Sequence, residues 1–243
     1  MSNIGFRVKF NDYLESKEKL KEFLDLYFSK FSIMEVKANP YLINHPLFEY
    51  LLDLLESKAV SFHISKNFLN SPTEEDEKLL SSLKGIKDIF LITHIPESFS
   101  EDSLEKFYSK NNFTLLFENP NFFSTKDYLR TIIEFYRILL NYQNVAGCLD
   151  LGHLLYNELL SNKQRYLDII VSEIELSMIK EFHIHDFTLQ KDHQKIGDGL
   201  MNLDRVCNLF SLDDTRIILE TNVLEDNLSD GEEQVRRILK PKT

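Results

Sequence analysis

The sequence of 243 residues contains no tryptophan, only two cysteines and only seven glycines. Cys148 stands in an apolar strand-like run and Cys207 in a helix-like run, without CxxC spacing. The two thiols therefore indicate neither a disulfide framework nor a zinc ribbon, and we expect both to be buried. Scarce glycine beside 19 phenylalanines and 10 tyrosines is typical of a packed interior and not of a disordered chain.

Basic side chains are also outnumbered, since 28 lysines and arginines stand against 39 aspartates and glutamates, a formal net charge of −11. A nucleic-acid binder uses Lys and Arg to displace counterions from phosphates, so this balance disfavours DNA or RNA as a partner. The sequence has no apolar run of membrane-spanning length, and residues 1–20 lack the apolar core of a signal peptide. We expect a cytoplasmic protein without a membrane segment.

What the sequence does contain is one repeated unit: a short apolar or β-branched run, a few turn residues and a segment of helical periodicity. The predicted strands are Gly5–Phe10, Ser32–Ala38, Ala59–Ser65, Asp88–Ile95, Phe113–Asn119, Asn144–Leu151, Ile179–Asp186 and Arg216–Asn222. Predicted helices between them include Ser16–Phe31, Pro46–Ser57, Thr73–Leu83, Thr125–Tyr142 and Leu154–Glu175. In Thr125–Tyr142 the apolar side chains recur at three- and four-residue spacing, which places them on one helical face.

Eight strands that alternate with helices predict parallel pairing, because each helix supplies the crossover to the next strand. Successive apolar residues, as in Ile89–Ile92 and Ile217–Leu219, are typical of strands covered on both faces. An open doubly wound sheet also accommodates eight strands, but no GxGxxG turn follows the first strand. We predict a single (β/α)₈ barrel, the TIM barrel of the α/β class, in one domain over residues 1–243.

Ionisable residues recur at one position in this repeat, the C-terminal end of a predicted strand or the loop that follows. Six of the seven histidines lie there, namely His63, His94, His153, His183, His185 and His193. The carboxylates in similar positions are Glu118, Asp150, Asp186 and Glu220. In an α/β barrel these strand ends face one rim, where the active site is built. Imidazole and carboxylate ligands together suit a divalent cation such as Zn²⁺ or Mn²⁺.

Each of these residues taken singly has a simpler explanation. A strand-end histidine is usually held by ordinary hydrogen bonds, and Glu118 or Glu220 alone fits a structural ion pair. The whole set favours a metal site, because burying so many polar groups without a shared cation is costly. We assign His45, beside Pro46, to surface structure, and Asp186 to capping the loop that follows it.

Three residues are candidates for the substrate side of the site. His185 shares strand parity with His183, so it faces the rim, either as a ligand or as a residue that orients one. Arg7 on the first strand and Lys37 on the second are candidates for binding an anionic substrate group. Such side chains more often reach solvent at the bottom or the rim of a barrel.

At these positions the sequence resembles the xylose-isomerase-like barrel superfamily, which includes sugar phosphate isomerases and epimerases and the endonuclease IV group (AP endonuclease family 2). The order and strand positions fit from residue 32 to about residue 225, which is nearly the whole chain. The matching segments are Phe117-Glu118-Asn119, Leu149-Asp150-Leu151-Gly152-His153, Phe182-His183-Ile184-His185-Asp186, His193 followed by Gly197-Asp198-Gly199, and Leu219-Glu220-Thr221. The ordered set is fairly specific to the superfamily and compatible with more than one activity.

The resemblance implies a ligand set. In sugar-isomerising members, four residues on strands five to eight hold one divalent metal, and the matching residues here are Glu118, Asp150, His183 and Glu220. Members similar to endonuclease IV add histidines that build a multinuclear zinc cluster, and the matching residues are His63, His94, His153 and His193. That pattern has an acid two residues before the loop histidine, where this chain has Lys191; the adjacent Asp192 is the candidate substitute.

Two enzymatic functions follow from this implication. In the first, the chain is an isomerase or epimerase of a small sugar or related polyhydroxy carbonyl compound, in which Glu118 and Glu220 exchange a carbon-bound proton and His185 assists. In the second, it is a multinuclear-zinc hydrolase or phosphodiesterase of endonuclease IV type. A barrel that binds its ligand without turnover is a third interpretation. Barrels of this group often form oligomers, but the sequence offers no apolar stripe that identifies an interface.

Overall fold

A computed structural model describes residues 3–10, 13–96, 100–111, 113–121, 127–161, 165–211, 215–221 and 228–239. The predicted helix start at Thr125 and the predicted strand end at Asn222 lie outside the described residues. Eight strands are described: β1 (Ile4–Val8), β2 (Ile33–Lys37), β3 (Ala59–His63), β4 (Ile89–His94), β5 (Thr114–Glu118), β6 (Val145–Asp150), β7 (Ile179–Ile184) and β8 (Arg216–Leu219).

The described helices alternate with these strands. They are α1 (Lys17–Lys30), α2 (Pro40–Ile43), α3 (Phe48–Leu55), α4 (Glu74–Ser82), α5 (Glu101–Tyr108), α6 (Tyr128–Leu139), α7 (Leu151–Ser161), α8 (Tyr166–Glu173), α9 (Leu203–Val206) and α10 (Leu228–Leu239). Short 3₁₀ turns precede β7 at Leu176–Met178 and follow α9 at Cys207–Ser211. Within the described residues, no helix is both long enough and apolar enough to cross a membrane.

The strands form a closed parallel barrel in chain order, β1 to β8, with β8 paired to β1. The predicted (β/α)₈ fold is therefore confirmed. Each strand ends earlier than the sequence predicts; β7 ends at Ile184 and β8 at Leu219, so that His185 and Glu220 lie just beyond the sheet. Because all eight strands are parallel, their C-terminal ends face the same mouth of the barrel.

The predicted helix Leu154–Glu175 is wrong as a single element, because the structure has two helices there, α7 and α8. Both bury an apolar side, with Leu154 and Leu155 on α7 and Leu167 and Ile170 on α8. A periodic pattern continues through both and does not reveal the break between them.

Two buried tyrosines attach helices to pairs of strands. The Tyr27 hydroxyl on α1 accepts the Phe6 N–H at 2.8 Å and donates to the Ile33 carbonyl at 2.8 Å. On α6, the Tyr136 hydroxyl donates to the Cys148 carbonyl at 2.8 Å. Buried hydroxyls need such partners, so these contacts fix the helices against the barrel wall.

The interior of the barrel is divided into an apolar side and a polar side. Ile92, Leu116, Ala146 and Cys148 form a small buried apolar cluster apart from the main core, which lies between strands and helices. The opposite side contains Arg7, Glu35, Ser61, Glu181 and Arg216. At the bottom, Arg216 donates to the carbonyls of Val60 and Asp88 and lies 3.9 Å over the Phe90 ring. These polar side chains extend from the bottom of the barrel to its mouth.

Candidate metal centre

Four predicted ligands meet at the mouth, three of them on β5, β6 and β7 and the fourth directly after β8. Ligand atoms of Glu118, Asp150, His183 and Glu220 all lie within 4.8 Å of one another, and all four side chains are buried. We call these residues the central group. The barrel register explains their meeting, because Asp150 pairs with His183 across β6 and β7, while Glu118 ends β5.

His183 lies at the middle of the central group. Its Nδ1 is 2.6 Å from Glu220 Oε1 and 3.3 Å from Glu118 Oε1. Its Nε2 faces away from the mouth, 3.1 Å from Glu181 Oε1 and 2.7 Å from Glu35 Oε2. The nitrogen that faces the two glutamates of the central group is therefore Nδ1.

A second group consists of His63, His94 and Glu118, whose ligand atoms also lie within 4.8 Å of one another. His63 Nε2 is 2.8 Å and His94 Nδ1 is 4.0 Å from Glu118 Oε2. Register brings them together, because Glu118 pairs with His94 across β4 and β5. Glu118 belongs to both groups, with Oε1 directed to His183 and Oε2 to the histidines.

A third group consists of His153, His185 and His193, again with ligand atoms within 4.8 Å of one another. The His185 and His193 rings stack with centroids 4.1 Å apart, and the His193 backbone N–H donates to His185 Nδ1 at 3.0 Å. Carboxylates of the central group reach this cluster. Asp150 Oδ2 lies 3.0 Å from His153 Nδ1, and Glu220 Oε2 lies 3.0 Å from His193 Nε2. The three groups thus form one continuous mouth.

Asp186 holds the loop that carries His193. Its carboxylate accepts backbone N–H groups at 2.8–3.0 Å from Phe187, Gly197, Gly199 and Met201. A Cβ on Gly199 would lie 2.3 Å from Asp186 Oδ1, which explains the second glycine of the Gly197-Asp198-Gly199 segment. The structure therefore places Asp186 in the predicted loop-capping role.

The buried carboxylates of the mouth are held ionised. Burial opposes ionisation of Glu118, but the imidazoles of His94 and His183 outweigh it and keep its pKa well below the ordinary value. Burial likewise opposes ionisation of Glu220, where Arg7 and His183 prevail and the pKa is again well below normal. Both carboxylates are therefore anionic acceptors at neutral pH.

The histidines of the mouth divide into two kinds. Burial lowers the pKa of His94 and of His153, so both imidazoles are neutral at pH 7 and have a free lone pair. His193 behaves oppositely, because its contacts with Glu220 and Asp192 outweigh burial and raise its pKa to about 9. A cation bound there would displace a proton.

The donor atoms fit a divalent cation. Several buried polar atoms of the mouth have no aligned hydrogen-bond partner among the described residues: Glu118 Oε1, Asp150 Oδ2, Glu220 Oε1, His94 Nδ1, His153 Nδ1 and His185 Nε2. Buried polar atoms without a hydrogen bond are costly even where a charged neighbour lies close, and these atoms come from every one of the three groups. Imidazole nitrogen and carboxylate oxygen are ligands that Zn²⁺ and Mn²⁺ accept.

The two basic residues predicted to bind substrate, Arg7 and Lys37, lie in different surroundings. Arg7 is largely buried; its Nε donates to Glu35 and its Nη2 forms an ion pair with Glu220, within the mouth. Lys37 ends β2 and is exposed at the rim. His45, as predicted, lies away from the mouth, where its Nδ1 accepts the Leu47 N–H at 3.2 Å.

Three residues that are not among the predicted site residues support the ligands from outside: Glu35, Glu181 and Asn119. Asn119 Oδ1 accepts the Asp150 N–H at 2.7 Å, and its Nδ2 donates to the Asp150 carbonyl at 3.0 Å, which fixes that ligand's backbone. Glu35 and Glu181 contact His183 from below. Strand parity identifies Glu181, because it stands two residues before His183 and therefore faces the same side.

The pKa of His193 predicts a pH dependence for the metal-free protein. A histidine whose pKa is raised on folding stabilises the fold below its unfolded pKa, about 6.5, and the contribution is lost as pH rises through about 9. In excess chelator, the free energy of unfolding should therefore fall between these values more steeply in the natural protein than in His193→Gln. Denaturant titrations at several pH values measure this, and identical profiles would contradict it.

Several solved structures share this fold. The 3-keto-D-glucoside 4-epimerase from E. coli matches with a TM-score of 0.61 and 12% identity, over 98% of this chain and 99% of that chain. An L-ribulose 3-epimerase matches with a TM-score of 0.57 and 12% identity, over 98% and 88%. A protein from Thermus thermophilus, in a crystal soaked with ZnCl₂, matches with a TM-score of 0.57 and 15% identity, over 99% and 100%.

Comparison with models of protein families and with curated proteins found no match. At 12–15% identity the structural matches establish the fold and not the activity. The predicted resemblance to the xylose-isomerase-like barrels is confirmed as a likeness of fold.

Proposed function

We propose that this chain is a divalent-metal-dependent isomerase or epimerase of a small sugar or related polyhydroxy carbonyl compound. The observation that carries the proposal is the central group, in which two buried glutamates, an aspartate and a histidine converge at the barrel mouth. The likeness of fold to sugar epimerases supports it.

Glu118, Asp150, His183 and Glu220 are the proposed cation ligands. A bound Zn²⁺ or Mn²⁺ would supply a Lewis acid beside adjacent oxygens of the substrate and so favour loss of a proton from the neighbouring carbon. The ionised carboxylates of Glu118 and Glu220 are already in the protonation state that ligands need. Burial opposes protonation of His183, but contacts with the surrounding carboxylates raise its pKa well above its ordinary value, so a cation bound there would displace a proton.

Glu118 and Glu220 are the proposed proton carriers. Both lie beside His183 Nδ1, at 3.3 and 2.6 Å, so a substrate held there contacts both carboxylates. One carboxylate accepts the carbon-bound proton, and for epimerisation the other delivers to the opposite face a proton that it has taken from solvent. For isomerisation, the group that accepted the proton passes it to the neighbouring carbon. His185 and His193 are proposed to bind substrate hydroxyls.

The charge of the mouth limits the substrate. Buried carboxylates outnumber Arg7 there, so a polyanion such as DNA is disfavoured and a neutral sugar is admitted. Arg7 is occupied by Glu35 and Glu220. Exposed Lys37 at the rim is the proposed contact for an anionic group that a sugar carries at a distance from its carbonyl.

A hydrolase is the second candidate, because the mouth offers more ligands than one cation needs. The groups His63–His94–Glu118 and His153–His185–His193 adjoin the central group, and Glu118 is shared. A multinuclear zinc phosphodiesterase would use such an arrangement to activate a water and to stabilise the leaving oxygen.

Solvent exchange tests the proposal directly. The chain, loaded with Mn²⁺ or Zn²⁺, is incubated in D₂O with a panel of free and phosphorylated ketoses, and deuterium at the carbon beside the carbonyl is measured by NMR. We expect incorporation and formation of the epimer or isomer, abolished by chelator and restored by cation. Absence of exchange across the panel, together with metal-dependent cleavage of a simple phosphodiester, would select the hydrolase instead.

A further inference from the structure

We propose that a buried chain of hydrogen bonds fixes which ring nitrogen of His183 faces the cation, and that Glu181 is the positioning residue. The polar chain consists of Arg216, Ser61, Glu181 and His183 and extends from the barrel bottom to the mouth. The inference rests on the proposed function only in taking His183 as a cation ligand.

Every link of the polar chain lies inside the barrel. Arg216 Nη1 donates to Ser61 Oγ at 3.2 Å, and the Ser61 hydroxyl donates to Glu181 Oε2. Glu181 Oε1 lies 3.1 Å from His183 Nε2 with the geometry of a hydrogen bond, whereas Glu35 Oε2, 2.7 Å from the same nitrogen, lacks that geometry. Ser61, Glu181 and His183 are fully buried and Arg216 is nearly so. Water therefore does not compete for these groups.

Arg216, at the bottom of the barrel, determines which groups donate and which accept along the polar chain. A guanidinium can only donate, so Ser61 Oγ accepts from Arg216 and its hydroxyl hydrogen goes to Glu181. The carboxylate of Glu181 then accepts at its other oxygen from His183 Nε2–H. When the ring is neutral, as a cation ligand must be, its lone pair is therefore on Nδ1, which faces Glu118 and Glu220.

This order of donors and acceptors also argues against a second cation site below the mouth. The Cys148 thiol lies with ligand atoms of Glu181 and His183 within 4.8 Å of one another, a set that resembles a second, deeper cation site. A cation there would need the lone pair of His183 Nε2, the nitrogen that carries the proton in the polar chain. We therefore expect Cys148→Ala to leave the cation content unchanged.

Three substitutions in the polar chain separate its links. Glu181→Met removes the aligned acceptor and leaves only Glu35 beside His183 Nε2, and loss of a partner that orients a histidine ligand typically weakens metal binding about 10–100-fold. Glu181→Gln retains a carbonyl oxygen for His183 Nε2–H and should recover most of that affinity. Ser61→Ala removes one link and should have a smaller effect in the same direction. Thr93→Val is the matched control for Ser61→Ala, because Thr93 is a buried hydroxyl that donates elsewhere, to the Ser65 carbonyl.

The readout is cation binding and not turnover. Metal-free protein is titrated with Co²⁺ against a chromophoric chelator, its visible spectrum is recorded, and its melting temperature is measured in EDTA. We expect Glu181→Met to weaken one class of sites and to change the Co²⁺ spectrum. The histidines His153, His185 and His193 lie outside the polar chain and should still bind as in the natural protein.

Two results would overturn the inference. One is a Glu181→Met protein that has a lower melting temperature but keeps the Co²⁺ affinity and spectrum of the natural protein. Glu181 would then have a structural role only. The other is loss of cation in Cys148→Ala, which would place the lone pair on Nε2. If the natural protein and the controls bind Co²⁺ as expected but no sugar exchanges its proton, the proposed function fails and the inference stands.

Discussion

Replacing Glu220 by glutamine is expected to lower kcat for proton exchange about 10²–10⁴-fold, the usual contribution of a positioned acid–base group. Glu220 is buried beyond the end of β8, beside Arg7, His183 and His193. A neutral amide of the same size keeps the volume but provides no proton acceptor. It is also a weaker cation ligand, so cation affinity should fall together with turnover.

The control for this substitution is Glu134→Gln, on an exposed face of α6 where Glu134 pairs with Arg130. An exposed ion pair contributes little to stability, so this variant should match the natural protein in stability, cation content and turnover. Deuterium exchange, elemental analysis and circular dichroism are measured on both variants. Full turnover in Glu220→Gln with cation retained would remove Glu220 from the mechanism.

Much of the fold follows from local pattern, because strands buried on both faces and amphipathic helices each leave a periodic signature. The pattern predicts the eight strands and their order, and strand polarity places the C-terminal histidines and acids at one mouth. It does not define where each strand stops. Hydrogen bonding ends β7 at Ile184 and β8 at Leu219, which puts His185 and Glu220 in the loops.

The interior of the barrel shows what sequence pattern leaves undetermined. Glu35 and Arg216 stand in strands whose other residues are mostly apolar, and their partners come from distant strands. Arg216 on β8 contacts Ser61 on β3, and Glu35 on β2 contacts His183 on β7. Contacts across a barrel depend on register and tilt, which the order of residues along one strand does not specify. The prediction that Cys207 is buried is wrong, because it lies in the 3₁₀ turn Cys207–Ser211 and is only partly buried.

Replacing Glu118 by glutamine should have the widest effect on metal content, because Glu118 belongs to two of the three ligand groups. Its Oε1 faces His183 and its Oε2 faces His63. Loss of the charge weakens both groups at once and also removes one of the two proposed proton carriers, so kcat should fall about 10²–10⁴-fold. The variant should still fold, since it replaces a buried charge by an amide of equal size.

His63→Asn is the informative comparison, because it alters only the group that Glu118 shares with His94. If one cation in the central group performs proton exchange, His63→Asn loses little turnover while Glu118→Gln loses nearly all of it. If two cations bridged by Glu118 perform hydrolysis, both variants lose activity to a similar extent. Elemental analysis beside the exchange assay distinguishes these cases. A Glu118→Gln protein that keeps its full cation content would contradict the shared-ligand geometry itself, because among the described residues of the mouth no other belongs to both groups.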